Sequence, residues 1–241
     1  MAKRVSSPRK RTRTGPDKRA AARTGADGKT WQQTKSENTR TAILDAAIDC
    51  FHDVGYAATT TEQVARRAGV SRGAMLHHFS SRAELVASAV AHLNTKRLAL
   101  FEREETRIQR NARHTRVAQG IDSYWRQLNS KLFVVFHELQ VAARTDPNLE
   151  RILAPAIAEF DRRWLEMVEN VFPDLSQSRN FVLGNFLTLF LLEGMAVNYL
   201  RRPGKWGKVL RDDLKRRLVD ELFVDVTDVD RRTAKPRHRG R

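Results

Sequence analysis

The sequence predicts an all-α fold, and three observations carry that reading. Apolar residues recur at helical spacing almost everywhere from Glu37 onward. Gly55, Gly69, Asp146-Pro147, Phe172-Pro173-Asp174 and Pro203-Gly204 cut the chain into helix-length pieces. Strand-like alternation of useful length and internal repeats are both missing. The expected architecture is an N-terminal three-helix module of the helix-turn-helix kind, joined by one long helix to a helical bundle.

Ile43, Leu44, Ala47, Ile48 and Phe51 follow i, i+3, i+4, i+7 spacing and give the first helix one apolar face, which Gly55 ends. Thr59-Thr60-Thr61-Glu62 reads as a capping box, with Thr59 accepting from the Glu62 N–H. The short helix that follows buries Val64 and Ala65 and breaks at Gly69-Val70-Ser71. Ser71 caps another short helix that runs to about His78. Ser81-Arg82-Ala83-Glu84 is a second capping box, opening a segment that reaches about Arg110. Val86, Val90, Leu93 and Leu100 mark its inner stripe, and its roughly 29 residues make a strut of about 43 Å. Further helices are expected at roughly 114–129, 131–145, 148–171, 176–201 and 205–224, with Pro155 kinking or starting the third of them.

Length and composition fit a small module plus a larger soluble domain. The chain has 241 residues, 41% hydrophobic and 30% charged. Its one cysteine, Cys50, excludes an internal disulfide framework and a cysteine-rich zinc site, and reads as a small buried apolar residue. No metal site and no cofactor are expected, and a reducing cytoplasm fits. The net charge of +16 sits in two tails. Residues 1–36 hold eleven Lys/Arg against Asp17 and Asp27, residues 231–241 hold six and no acid, and +1 remains for residues 37–230. Both tails read as disordered and suited to sequence-independent phosphate contact. The first has no apolar h-region and so is not a secretory signal. Residues 181–200 are apolar nearly all round, but Asn185, Thr188, Glu193 and Asn198 interrupt them. A buried central helix or a subunit interface is expected there, and no membrane partner.

Two short helices joined by a tight glycine turn, after a longer amphipathic one, make a helix-turn-helix whose second helix enters the major groove. The residues that fill it are Phe51-His52-Asp53-Val54-Gly55-Tyr56, Thr59-Thr60, Val64-Ala65, Ala68-Gly69-Val70-Ser71, Gly73, His77-His78-Phe79 and Ser81-Arg82-Ala83-Glu84-Leu85. Over about 45 residues without a gap they resemble the N-terminal signature of the TetR (tetracycline repressor) family. The resemblance implies a homodimeric, sequence-specific DNA-binding regulator in the cytoplasm, associated with the nucleoid. It further implies a repressor released from a palindromic operator by a small-molecule effector, and not an enzyme. The implied domains are a basic tail (1–36), the DNA-binding domain (37–85), a ligand-binding and dimerisation domain (86–230) and a second basic tail (231–241).

The DNA-reading residues expected on this basis are Thr59, Thr60, Arg72, Gly73, Ala74, His77, His78 and Arg82. Thr59 and Thr60 stand at a helix N-terminus, where hydroxyls and free N–H groups suit a phosphate. Arg72 opens the reading helix, where it can reach guanine or a phosphate. Gly73 and Ala74 add little bulk and let the backbone approach the groove floor. Adjacent His77 and His78 cannot both face the core, whereas Met75 and Phe79 pack inside it. Arg82 resembles the family's basic phosphate contact. Leu76 stands where the family pattern usually has Tyr, removing one phosphate donor. Residues 37–82 hold five basic and five acidic side chains, so the module's own attraction for DNA is thin.

In a TetR-like arrangement the following helices enclose the effector. Trp125, Phe133, Phe136, His137, Trp164, Met167, Asn185, Phe186 and Phe190 are the expected pocket residues, with Glu138 and Glu193 as further polar candidates. Their aromatic and thioether character suits a largely apolar ligand, because an unpaired buried charge is costly. Segments 176–201 and 205–224 would supply the dimer interface, the latter through Trp206, Leu210, Leu214, Leu218 and Leu222. The alternative is a non-specific architectural DNA binder. A catalytic motif (a Gly-rich phosphate loop, HExxH or paired carboxylates) is not found.

Overall fold

The computed structural model describes residues 30–108, 113–171, 173, 179–199, 212–214 and 216–217. Residues 1–29 of the first basic tail, the whole second tail, Pro203-Gly204 and Trp206, Leu210, Leu218 and Leu222 lie outside the described residues, while residues 31–36, expected to be disordered, are helical. Eight helices are seen among those described, and no strand: α1 Trp31–Val54, α2 Thr61–Arg67, α3 Arg72–His78, α4 Arg82–Ile108, α5 Arg113–Leu128, α6 Lys131–Ala143, α7 Pro147–Val171 and α8 Arg179–Tyr199. The all-α fold expected from the sequence is the one observed.

The chain forms two units that divide between Ala42 and Ile43. In the first, α1 begins at Trp31 rather than near Glu37. The signal is a capping box: Thr30 N–H donates to Gln33 Oε1 at 2.8 Å, and Thr30 Oγ1 accepts from Gln33 N–H at 3.3 Å. Residues 31–38 are exposed, so no apolar stripe announced this stretch of helix.

The second unit holds two apolar cores. One gathers Ile43, Leu44, Ala47, Ile48 and Phe51 of α1, Val64, Met75 and Phe79, and the first half of α4, against Val135, Phe136 and Leu139 of α6 and Leu149 and Leu153 of α7. The core therefore runs without interruption across the expected division at residue 85, so the helix-turn-helix module is packed against the bundle's own helices. Cys50 is buried in this core, as expected, and burial pushes its thiol pKa up. The other core joins Phe101 and Ile108 of α4 to Val117, Ile121, Tyr124, Trp125 and Leu128 of α5, Phe160 and Trp164 of α7, and Phe181 and Leu192 of α8.

Arg97 of α4 ties the two cores together. It is only 8% exposed, and its guanidinium lies 3.6 Å from the Phe136 ring centre and 4.0 Å from that of Phe160. Burial lowers its pKa to about 10, so it stays charged at neutral pH. One helical turn earlier, Asn94 donates to the Ala156 carbonyl at 2.9 Å. That bond fixes α4 beside Pro155, where α7 continues without a backbone donor. α7 instead starts at Pro147, after Asp146 Oδ1 accepts from Asn148 N–H at 3.0 Å and Leu149 N–H at 3.1 Å.

α8 has one buried row, Phe181, Gly184, Thr188 and Leu192, and a wide outer face of Leu183, Phe186, Leu187, Phe190 and Val197. The expectation of a buried central helix is corrected: outside that row the apolar residues of α8 are exposed on the single chain. Among the described residues, Phe181–Asn198 is the one stretch long and apolar enough to cross a membrane.

Candidate functional site

The reading module is assembled by short local signals. Thr60, not Thr59, caps α2: its Oγ1 accepts from Gln63 N–H at 3.2 Å, and Gln63 Oε1 accepts from Thr60 N–H at 2.8 Å. Thr59 is buried and donates to the Gly55 carbonyl at 2.7 Å, which removes its hydroxyl from any DNA-facing surface. The register shifts by one because Thr59 instead closes the turn after α1. Gly69 takes φ +69° in the turn, and Val70 N–H donates to the Ala65 carbonyl at 3.0 Å. Ser71 then caps α3 by accepting from Ala74 N–H at 3.1 Å.

The turn gives α3 two distinct faces. Met75 and Phe79 are buried, as expected, while Ser71, Arg72, Gly73, Leu76 and His77 are exposed and Ala74 and His78 half-buried. Leu76 is 52% exposed and so lies outside the module's buried core. A Cβ on Gly73 would find Ser71 Oγ at 3.9 Å as its nearest neighbour, so nothing within the chain requires glycine there. Glycine inside a helix costs about 1 kcal/mol relative to alanine.

Three of the module's five acidic residues are paired with cations of the same chain. Asp45, Asp49 and Asp53 lie one turn apart along α1, and each meets a cation from a different helix. Asp45 pairs with Lys96 and with His92 at 2.8 Å from α4, Asp49 with Lys131 of α6, and Asp53 with Arg67 of α2 at 2.6 Å. Burial opposes ionisation of Asp45, but the hydrogen bonds from Lys96 and His92 outweigh it and lower its pKa. Half-exposed pairs of this kind add little stability. Their effect is to cancel an acidic stripe that would otherwise repel a polyanion.

Arg82 is turned back onto the module rather than outward. Its Nη1 and Nη2 donate to Tyr56 Oη and the Tyr56 carbonyl, both at 3.1 Å, and the guanidinium lies 4.6 Å over the Tyr56 ring. The expected phosphate contact is thus engaged by Tyr56. Tyr56 Oη in turn donates to Asp146 Oδ2 at 3.2 Å, and Tyr56 N–H donates to Glu138 Oε1 at 2.7 Å. Glu138, expected as a ligand-orienting group, therefore fastens the module to α6. At the start of α4, Ser81 caps as expected, but Glu84 reaches one residue further back, accepting from Ser80 N–H at 2.8 Å.

Among α4, α5, α7 and α8 lies a cavity of about 70 Å³. Phe101, Ile121, Tyr124, Trp164, Val168 and Leu189 form its apolar wall, and Glu105, Arg116, Asn185 and Thr188 bring polar atoms to it. Only Trp164 and Asn185 of the expected pocket residues line it. Trp125 and Phe133 are core around it, and Met167 packs against that core. Phe136 belongs to the other core and holds Arg97; His137 stacks on Phe133 with ring centres 5.6 Å apart, its buried Nδ1 without a hydrogen-bond partner. Phe186 and Phe190 are corrected: at 38% and 67% exposed they lie on the outer face of α8, about half a turn from Thr188. Glu193 accepts from Tyr124 Oη at 2.6 Å.

Glu105 carried no motif and was missed. Burial, and then the nearby Glu104 charge, push its carboxyl up to about 7 from an ordinary 4.5. The folded state therefore holds a proton that the unfolded chain releases between those values, and stability falls as pH rises through that window. Glu105→Gln removes the penalty. It is expected to stabilise the protein by about 3 kcal/mol at pH 8 and to change little at pH 4, as read by urea unfolding at the two pH values.

The comparisons with known proteins bear on the module and on the fold. Residues 43–89 match the family of bacterial regulatory proteins, tetR family. The chain is similar to an uncharacterized HTH-type transcriptional regulator of Mycobacterium tuberculosis, 29% identical over 133 residues that span 55% of this chain and 67% of the relative. It also resembles an HTH-type transcriptional repressor of the same organism, 38% identical over 71 residues, 30% of this chain and 38% of that one. In fold it is similar to a crystallised transcriptional regulator from Rhodococcus sp., at TM-score 0.59 and 21% identity over 77% of this chain and 96% of the other. The fatty acid degradation regulator FadR of Bacillus halodurans also shares the fold, at TM-score 0.56 and 15% identity over 76% of this chain and 96% of that one.

Proposed function

We propose, from the match of residues 43–89 to the tetR family of bacterial regulatory proteins, a homodimeric repressor that leaves a palindromic operator when a largely apolar small molecule enters its bundle. The proposed site of action is the cytoplasmic nucleoid. The observation that carries the DNA-reading half is the outer face of α3, where Gly73 stands in open space between Arg72 and Ala74. Arg72 and His77 are the base-reading candidates. His78 stands beside them, and Thr60 with its N–H neighbours is the phosphate contact. Thr59, which is buried, drops out of the reading surface, whereas Arg82 is exposed and held by Tyr56.

The ligand half rests on the cavity between α4, α5, α7 and α8, whose wall is chiefly aromatic and aliphatic. Two copies joined by the outer face of α8 would set two reading helices about 34 Å apart, one turn of DNA.

The operator is obtained by sequencing fragments that the protein retains from sheared genomic DNA. Gly73→Ala is then expected to raise stability by about 0.5–1 kcal/mol while weakening operator binding, because the added methyl meets DNA and not protein. Arg72→Ala is expected to cost about 1–3 kcal/mol on the operator and little on random DNA. Equal losses on both would assign the module to non-specific binding.

A further inference from the structure

A threonine inside a helix commonly turns its hydroxyl onto the carbonyl four residues back. Thr34 donates to Thr30 in this way, Thr39 to Lys35 and Thr95 to Ala91, at 3.3, 2.9 and 3.0 Å. Thr188 of α8 does not. It is 4% exposed, its Oγ1 has no hydrogen-bond partner, and it lines the cavity between α4, α5, α7 and α8. On the same cavity wall, Arg116 of α5 is engaged through other contacts, but its buried Nε has no hydrogen-bond partner. Buried polar atoms are normally satisfied, since leaving one bare costs free energy that the fold must make up elsewhere. Two such atoms at one cavity are accounted for by a ligand group that bonds both.

The chemistry of the two atoms decides the sign of that ligand. An arginine Nε–H can only donate, and the guanidinium it belongs to is a standing cation. The Thr188 hydroxyl can donate beside it. An ammonium offers no acceptor to Arg116 and is repelled by its charge. A carboxylate accepts from both atoms at once, and its bonds are charge-assisted. Glu105 is the one acid on this lining, and burial and the Glu104 charge already hold its carboxyl at about 7. An arriving anion favours its protonated form further, so Glu105 adds a donor rather than a second charge. A neutral apolar molecule would leave Thr188 and Arg116 Nε as they are.

Resting on the effector reading above and deepening it, we infer that the cavity takes a compact aromatic monocarboxylate, its carboxylate accepting from Arg116 Nε and Thr188 Oγ1, its ring against Phe101, Ile121 and Trp164. The aromatic body follows from the lining. Ring centres of Phe101 and Tyr124 lie 5.7 Å apart and those of Phe101 and Trp164 6.5 Å apart, the second pair edge-on. A further ring extends such a cluster at the same spacing. The small volume in the free protein sets a single ring rather than a fused system or a long chain.

The test uses the full chain without DNA and three probes of matched shape: benzoate, benzamide and the benzamidinium cation. Calorimetric titration is expected to rank benzoate about tenfold or more above benzamide, with benzamidinium weakest. Arg116→Gln is expected to erase the preference of the acid over the amide. Thr188→Val is expected to weaken benzoate about three- to tenfold. Because it removes a bare buried hydroxyl, it should also raise the thermal midpoint of the free chain, where a hydroxyl bonded within the fold would give the opposite shift. The ranking on the unaltered chain stands as a test even where a variant folds poorly. Equal binding of acid and amide, tighter binding of the cation, no binding of benzoate, a preference that survives Arg116→Gln, or affinity untouched by Thr188→Val each overturn the assignment. Operator release is measured separately. Benzoate that binds through Arg116 yet leaves operator affinity unchanged keeps the cavity assignment and overturns the release reading.

Discussion

Gly55→Ala is expected to destabilise the protein by about 2.5–5 kcal/mol, an effect out of proportion to one methyl group. Gly55 ends α1 with φ +84°, a backbone conformation that an L side chain adopts only under strain. A Cβ there would also stand 2.8 Å from Glu138 Oε1. The carboxylate can swing away, but it then gives up the 2.7 Å hydrogen bond from Tyr56 N–H. Strain accounts for about 1–2 kcal/mol of the loss, and the charge-assisted bond for about 1.5–3 kcal/mol. A double-mutant cycle separates them: in a Glu138→Ala background the same substitution should cost only the strain. Equal cost in both backgrounds, measured by urea unfolding, would mean that Glu138 does not hold the loop. The same latch has a functional edge. Glu138 sits on α6 two residues from Phe136, whose ring carries the buried guanidinium of Arg97. The reading module is thus held at Tyr56 by the helix that also meets the long α4 strut.

The helices were legible because breakers and apolar periodicity are local. Ser71, Met75 and Phe79 behave as their spacing required, and α4 to α8 begin and end within a few residues of the positions read from Gly, Pro and cap residues. What escaped is set by contacts distant in sequence. Nothing near Glu138 in the chain announces that its partner is the Tyr56 N–H, 82 residues away. Thr59 and Thr60 are indistinguishable as caps until the turn after Gly55 claims the first of them. The pocket was misplaced for a related reason. Large aromatic residues were taken as its lining, but on a helix apolar all round, such as α8, composition does not say which side faces in. Phe186 and Phe190 face out, and the cavity is lined by other aromatic residues, Phe101, Tyr124 and Phe181, and by Glu105, an acid among Arg103, Glu104 and Arg107 that reads as solvated surface.

Phe190→Glu is expected to separate the proposed dimer and to lower operator affinity by about 10²–10⁴-fold, while leaving the fold of each chain intact. Leu183, Leu187, Phe190, Gly194 and Val197 follow one another at intervals of four, three, four and three along α8, the spacing of a helix–helix seam. Leu183 is 57% exposed, Leu187 45% and Phe190 67%, and a Cβ on Gly194 would meet nothing within 4 Å. A second helix can therefore lie close at Gly194 and bury the large side chains on either side of it. Apolar side chains this exposed along one seam are a surface to be covered rather than a core. Because Phe190 makes no deep contact within its own chain, a charge there should leave the unfolding midpoint of the separated chain nearly unchanged. Two reading helices on one dimer bind two half-sites as a single linked event, and a monomer loses that linkage while keeping its contacts to one half-site. Sedimentation velocity reads the assembly, and titration against a full operator and an isolated half-site reads the linkage. A variant that stays dimeric would place the interface elsewhere. One that becomes monomeric yet binds the full operator as tightly as before would remove the palindrome from the mechanism.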